Sequence, residues 1–559
     1  MRRDNWLCLN GIWEYSICES GQPEPRVFDG NIVVPFSPES LLSGVKRQLK
    51  PGQTLWYRRS VRFERKASQR LLLHFGAVDQ HCIVYCNGKQ AGKHSGGYWP
   101  FSFDITELIQ DGNNTLVVAV TDESDTGNEA YGKQKLNRGG IWYTAQSGIW
   151  QTVWAEYVPQ QYIEDVRIKS DCANAEVELQ IAFAGNTADI PLCRIQVYGD
   201  GMLVTERTMQ KETVRLSMGD FRYWSPEEPF LYTVKISAGE DAVESYFGMR
   251  EFKAVTDSNG HVRFALNGKP VFQTGLLDQG YWSDGLYTPP SDEGMVWEIS
   301  ELKKLGFNML RKHIKIEPLR WYYHCDRLGM LVWQDFVSGG GPYTPLMTQY
   351  LPFLNVRLKD RHYGLFGRRS KAGRDIYERD MARTVKLLCS VVSIAVWVPF
   401  NEGWGQFDAL RISQTLKKMD PTRLIDHVSG WHDQGGGDFH SPHIYYKKYR
   451  LHDDSKNRIQ ILSEFGGYSC PGAWHMASDT LFGYRMYDNR DKLTAAYEQL
   501  FIQEVVPAVK KGLSASVYTQ VSDVEDEING MFTYDRAVIK LHEEAVLRVN
   551  ELLKKSAME

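Results

Sequence analysis

Hydrophobic patterning changes twice along the chain, and each change marks a domain. Over residues 1–158 apolar and polar positions alternate in short runs. In "HCIVYCNGKQAGKH" the alternation surrounds Asn87-Gly88, the dipeptide that favours a two-residue hairpin turn. "NNTLVVAVTD" and "SGIWQTVWAEYV" continue the pattern, and nothing longer than "DITELI" carries a helical period, so an all-β sandwich is predicted. "VPQQY" then reads as a linker. Residues 159–253 hold further alternating runs, "AEVELQIAF", "CRIQVYG" and "FLYTVKIS", which predict a second, smaller sandwich of immunoglobulin size.

Over residues 254–559 strand-like apolar runs alternate with helical stretches. The runs are "VFQTGLL", "FNMLRKH", "MLVWQD", "SIAVWVPFNE", "RLIDHV", "DFHSPHIYY", "IQILSE" and "SASVYTQ", eight in about 300 residues. Eight such β-α units predict a (β/α)8 TIM barrel, whose active site lies at the C-terminal ends of its strands. Strands buried on both faces read as continuous apolar runs, which is how these read.

Two of those runs end on a carboxylate. Glu402 follows Asn401 at the predicted end of strand 4, in "VWVPFNEGWGQFD", and Glu464 closes strand 7, in "IQILSEFGGY". Two glutamates converging on a barrel mouth suit glycoside hydrolysis, which needs an acid for the leaving oxygen and a carboxylate for the oxocarbenium-like carbon. An ion pair with a nearby Arg or Lys is the bland alternative for either residue alone. Burial beside Trp397 and Trp404 would keep Glu402 protonated, and Tyr445 is a candidate hydrogen-bond donor to Glu464. His313, Asp335 and His443 also fall at predicted strand ends, where they could hold sugar hydroxyls or simply pack and cap. The two histidines of "DFHSPH" have no carboxylate cluster at usable sequence spacing, so no metal and no cofactor are expected.

Composition narrows the class. Hydrophobic residues make up 42% and charged residues 24% of 559, as in a globular protein of several domains. A net charge of −4 leaves no electrostatic footprint for nucleic acid. The 16 Trp and 29 Tyr suit sugar stacking as well as large β-rich cores. Nine scattered cysteines, with Cys82 and Cys86 the closest, suggest strand-interior thiols in a reducing compartment. No apolar run of signal-peptide length follows the first residues, and "SIAVWVPF" is too short to span a bilayer. A cytoplasmic location, no membrane partner and a possible homo-oligomer are expected.

The motifs resemble glycoside hydrolase family 2, the family of β-galactosidases and β-glucuronidases. "VWVPFNEGWGQFD" and "ILSEFGGY" are similar to its acid/base and nucleophile motifs. "LWYRRSVRF", "GGYWPFSFDIT" and "SGIWQTVW" resemble its sugar-binding-like jelly-roll sandwich, and "WSPEEPFLYTVKI" and "FGMREF" its immunoglobulin-like domain. "GFNMLRKH", "DRLGMLVWQD" and "DVEDEINGMFTYDR" resemble its barrel. The resemblance implies that Glu402 is the acid/base, Glu464 the nucleophile and Asn401 the partner of the sugar 2-hydroxyl. It implies a retaining exo-glycosidase acting on a carbohydrate.

Three departures bear on the sugar. The glucuronidases' Asn-x-Lys is matched here by Asn529 with Met531 in the lysine's place. Five residues before "SGI", where relatives often bring an acid into the site, stands Trp142. Strand 8 ends on Tyr518 and Gln520 instead of the Trp of many relatives. A neutral sugar is therefore expected, with β-galactosidase-like activity foremost. A β-mannoside, an arabinoside, a galactofuranoside or a β-uronide are alternatives, and a non-catalytic carbohydrate-binding protein is the rival class. The Gly-, Pro- and Arg-rich segment 339–372 is expected to shape the pocket or an aglycone subsite, or to be a bland insertion.

Overall fold

The computed structural model describes residues 1–185, 189–351, 356–451, 454, 456–471 and 475–558. By its contacts the chain divides into two compact units. The first comprises Met1–Glu123, Gln146–Arg250 and Lys386–Val392, and the second comprises Ser124–Ala145, Glu251–Val385 and Ser393–Glu559.

The first unit contains two β-sandwiches. A six-stranded antiparallel sheet centred on Gln53–Phe63 and Gly112–Thr121 and a four-stranded sheet containing Gln69–Phe75 and Val153–Pro159 share one core. Alternation delivers Trp13, Leu55, Tyr57, Leu71, Leu73, Phe75, Val84 and Val118 to it. Asn87 and Gly88 take positive φ (51° and 76°), as the tight turn between His81–Cys86 and Lys89–Ser95 requires. Cys82 and Cys86 are buried free thiols of that first strand. The second sandwich packs a three-stranded sheet (Gln161–Asp171, Glu176–Gly185, Thr213–Ser217) on a four-stranded one containing Cys193–Gly199 and Tyr232–Ala238. Its core includes Ile163, Leu179, Ile195, Val197 and Val234.

The second unit is the TIM barrel. Its strands 1–8 are Gln273–Asp278, Met309–Lys312, Leu331–Asp335, Ile394–Val398, Leu424–Ile425, Phe439–His440 with His443–Ile444, Ile459–Gly466 and Leu513–Thr519. They pair in parallel in the order 5-4-3-2-1-8-7-6. Between strands 5 and 6, the Asp438 N–H donates to the Ile425 carbonyl (2.8 Å) and draws the barrel nearly shut. Strands 3, 4 and 8 are buried at every position, the source of their continuous apolar runs. Helices cover the outside. Asp292–Lys304, for example, starts at Ser291, whose side chain accepts from the Gly294 N–H, and buries Met295, Ile299 and Leu302 on one face. No helix among the described residues is long and apolar enough to cross a membrane.

Two strands depart from the simple pattern where the site is built. Pro399 ends strand 4 before Glu402, and the chain re-pairs with strand 5's extension through Asn401 and Ser429. Pro442, which has no N–H for the ladder, splits strand 6 just before His443.

Candidate active site

The centre of the barrel mouth is Arg311, an arginine on strand 2 with no exposed side-chain surface. A buried guanidinium survives only if its donors are matched. Arg311 Nε and Nη2 donate to the two oxygens of Asp335 (3.0 and 2.9 Å), Nη1 to Glu464 Oε1 (3.0 Å) and Nη2 also to Asn401 Oδ1 (2.9 Å). One charge thus fixes three of the residues singled out from the sequence. Burial alone would weaken the guanidinium's hold on its proton, but Asp335 and Glu464 outweigh that and keep it charged.

Glu464 lies inside strand 7, not at its end, two residues before Gly466. Its Oε2 accepts from the Tyr445 hydroxyl at 2.5 Å. Burial pushes that phenol well above its ordinary range, so it stays a donor. The Tyr445 ring stacks on Tyr484 (centroids 3.9 Å apart, 8° between planes). The broken strand 6 sets His443 opposite Glu464 in the ladder.

Glu402 sits in the loop four residues beyond strand 4, because Pro399 has already stopped the ladder. It adopts a left-handed backbone (φ 48°) that costs a non-glycine residue energy, and its N–H is tied to the Ser429 carbonyl at 2.9 Å. Strain held this way at a site is a mark of positioning. One carboxyl oxygen is 2.8 Å from His443 Nδ1. Burial pushes the Glu402 carboxyl up to about 7; the charges of Lys133 and Arg311 oppose the rise and that of Glu527 adds to it. Burial likewise lowers His443 to about 4, so its imidazole is neutral near pH 7. The Ser429 hydroxyl donates to Ser463 Oγ (2.9 Å), which leaves His443 Nε2–H to donate to Ser429 Oγ (2.9 Å). In that arrangement Nδ1 is an acceptor, and a protonated Glu402 supplies its hydrogen. Trp404 is buried nearby in sequence, whereas Trp397 points the other way: its indole N–H donates to Asp420 behind the barrel wall (2.9 Å).

A relay of side-chain amides runs along the other side of the mouth. His313 Nδ1 meets Gln279 Oε1 (2.9 Å), Gln279 Nε2 donates to Gln520 Oε1 (2.7 Å), and Gln520 Nε2 donates to Asn529 Oδ1 (2.7 Å). Asn529 Nδ2 donates to Glu527 Oε1 (2.9 Å), and Glu527 Oε2 accepts from the Tyr143 hydroxyl. The Lys133 ammonium completes the run, 3.3 Å from the Tyr143 oxygen and 4.0 Å from Glu527. Burial and the charges of Lys133 and Arg311 hold His313 neutral. Its Nε2 faces the Asn401 side chain, and neither that nitrogen nor Asn401 Nδ2 meets a well-formed partner among the described residues.

Trp142 lies on the segment Ser124–Ala145, which packs with the barrel unit. Its ring is 4.9 Å from that of Trp404, which is itself 6.2 Å from His313. Tyr343, from the segment 339–372, lies nearly parallel to Trp404 at 6.4 Å and 6.2 Å from Trp142. That segment therefore contributes a ring to the same aromatic wall; its residues 352–355 lie outside the described ones.

Ligand atoms of Glu402, His443 and Glu464 all fall within 4.8 Å of one another, a spacing a metal could exploit. The sequence spacing around "DFHSPH" gave no carboxylate partner for His443; the fold supplies two from distant strands. The same spacing is what a carboxylate pair needs to act on one atom. Arg311, Lys133, Tyr143, Gln279, Tyr484 and Glu527 were not singled out from the sequence. Only Arg311 leaves a trace there, as a charge inside an apolar strand run that demands buried partners.

Comparison with known proteins agrees with this picture. Residues 45–154 match the model of "Glycosyl hydrolases family 2, sugar binding domain" and residues 161–250 that of "Glycosyl hydrolases family 2". A putative β-glucuronidase of Formosa agariphila is 28% identical over 296 residues, which is 50% of this chain and 34% of that protein. A β-galactosidase of Thermoanaerobacter pseudethanolicus is 29% identical over 297 residues, 50% of this chain and 39% of that protein. The chain thus spans little more than a third of the length of these curated relatives. Among solved structures, a β-glucuronidase of an uncultured Clostridium sp. superposes with a TM-score of 0.76 at 16% identity, over 99% of both chains. The β-D-glucuronidase of Dictyoglomus thermophilum does so with 0.76 at 16%, over 99% of this chain and 98% of that one. At such identities these two share the fold.

Proposed function

From its membership of glycosyl hydrolases family 2, we propose that this chain is a retaining glycosidase that removes a terminal sugar by double displacement. The observation that carries the reading is the approach of Glu402 and Glu464 to within 4.8 Å, oxygen to oxygen. Retaining enzymes hold their carboxyls about 5–5.5 Å apart, and inverting ones leave room for a water at about 6.5–9.5 Å. Glu464, oriented by Arg311 and Tyr445, attacks the anomeric carbon. Glu402, protonated near neutrality, gives its proton to the departing oxygen. In the second step Glu402 takes a proton from water, which displaces Glu464 and restores both groups. His313 and Asn401 are the candidate partners of sugar hydroxyls, and the aromatic wall of Trp142, Tyr343 and Trp404 is the candidate stacking surface. The reaction calls for no metal or cofactor.

Azide tests the assignment of roles. Added to Glu402→Ala, it should restore turnover and yield a glycosyl azide with the substrate's anomeric configuration, since the covalent intermediate still forms. Added to Glu464→Ala, it should yield the opposite configuration by a single displacement. Proton NMR of the products reads both, and the reverse pairing would exchange the two roles.

The sugar favoured is a neutral one, a β-galactoside foremost. Arg311 is fully engaged by Asp335, Glu464, Asn401 and the Ser463 carbonyl, and Met531 offers no charge. A uronide is the second reading. It is favoured by the names of several relatives and by the buried Lys133 ammonium beside the site. The ratio of kcat/KM for aryl β-galactoside and aryl β-glucuronide separates the two.

A further inference from the structure

We propose that Lys133 and Glu527 together read two adjacent hydroxyls of the sugar, and so set the enzyme's preference for a neutral glycoside over a uronide. The proposal rests on the reading of the site as a glycosidase pocket.

Both side chains are nearly sealed from solvent, at 6% and 2% exposure, yet they stand 4.0 Å apart, too far for a direct hydrogen bond. The ammonium has three donors, and among the described residues it makes one hydrogen bond, 3.3 Å long, to Tyr143. It also faces two rings, with the Tyr143 centroid at 4.8 Å and that of Trp404 at 6.0 Å. A buried ammonium with unfilled donors is costly unless something arrives to fill them. Glu527 accepts one bond on each oxygen, from Asn529 and Tyr143, and retains lone pairs for more.

The pair is part of the pocket. Lys133 is the strongest charge acting on Glu402 and on His313, and Glu527 acts on Glu402 as well. Trp404, which Lys133 faces, stands two residues after Glu402. The amide relay from His313 through Gln279, Gln520 and Asn529 fixes Glu527 from behind.

The chemistry of the pair selects its ligand. A sugar carboxylate would suit Lys133 alone, but it would have to lie against the buried charge of Glu527. Two neighbouring hydroxyls suit both residues: one oxygen accepts from Lys133 and the next hydroxyl donates to Glu527. Both bonds involve a charged partner, the stronger class of hydrogen bond.

Aryl glycosides lacking one ring hydroxyl at a time provide the test, with wild type, Lys133→Met and Glu527→Gln, alongside the matching uronide. In wild type, removal of either of two adjacent hydroxyls should lower kcat/KM by about 10- to 100-fold. In Lys133→Met one of those two losses should shrink to near unity, and in Glu527→Gln the other should. Glu527→Gln should also raise the uronide's kcat/KM relative to the neutral sugar's. Each variant tests its own hydroxyl, so failure of one to fold leaves the other decisive. Equal deoxy losses in wild type and variant would overturn the proposal, as would a Lys133→Met that loses only uronide turnover. A wild type inactive on every glycoside would instead defeat the glycosidase reading.

Discussion

In the proposed mechanism Glu402 is the general acid, which must carry its proton when the substrate binds, and burial pushes its carboxyl up to about 7. The sign follows directly. As pH rises through about 7 the carboxyl ionises in the free enzyme, and kcat/KM should fall on the basic side with a limb near that value. Glu402→Gln should abolish the limb when both proteins are assayed on an aryl substrate whose leaving group still needs the proton, since one that needs none would show no limb in wild type either. A limb that survives in this variant would belong to another group. Glu402, Asn401, Glu464 and Tyr445 could be singled out because they follow or close apolar runs, although the structure sets Glu402 in a loop beyond strand 4 and Glu464 inside strand 7. Lys133, Tyr143 and Glu527 could not, because they come from loops far apart in sequence and their relation exists only once the barrel is built.

Among the elements, strand 2 shows why an apolar run can hide the residue that organises a site. "FNMLRKH" reads as a buried strand, and Arg311, Lys312 and His313 are all buried in it. Lys312 is matched by Asp278 and Glu317 (2.7 Å each) as Arg311 is by Asp335 and Glu464. The eight strands were visible as runs, since burial on both faces is written in composition. The turns that place Glu402 and His443 beyond Pro399 and Pro442 were not, since they depend on where each ladder stops. Arg311→Met should cost about 3–5 kcal/mol, because it leaves Glu464 without its cation and forces Asp335, which burial already pushes up to about 7, to take up a proton. Arg311→Lys keeps the charge but loses the fork that grips both carboxylates, so it should fold closer to wild type and still lose most of kcat. Thermal unfolding and turnover measured on both variants separate the two effects. Equal stability and equal turnover would mean that the guanidinium organises nothing.

At the scale of the whole molecule, the first unit carries a pH dependence of its own, remote from the chemistry. Glu39 is buried there and accepts the Leu49 N–H on one oxygen and the Ser147 N–H on the other (3.0 Å each). Burial nevertheless dominates and pushes its carboxyl up to about 8. An acid whose folded value exceeds its unfolded value of 4.5 keeps its proton longer when folded. Between about 4.5 and about 8 the unfolded chain therefore binds fewer protons than the folded one, and stability falls as pH rises across that window. Glu402 adds the same sign up to about 7 from the second unit. His443, lowered to about 4, opposes them, but only below the ordinary histidine value of 6.5. From pH 6.5 to 8 Asp335, pushed up to about 7, joins the two acids, while the buried Met1 amino group, lowered from 8.0, opposes them. The decline due to Glu39 is therefore read as the difference in slope between wild type and Glu39→Gln. Glu39→Gln should lower stability at acid pH, because its amide turns a donor toward one of the two backbone N–H groups. It should also flatten the decline toward pH 8 while leaving the pH profile of turnover unchanged. A Glu39→Gln slope equal to wild type would show that Glu39 is ionised in the folded chain and that its two backbone donors outweigh burial.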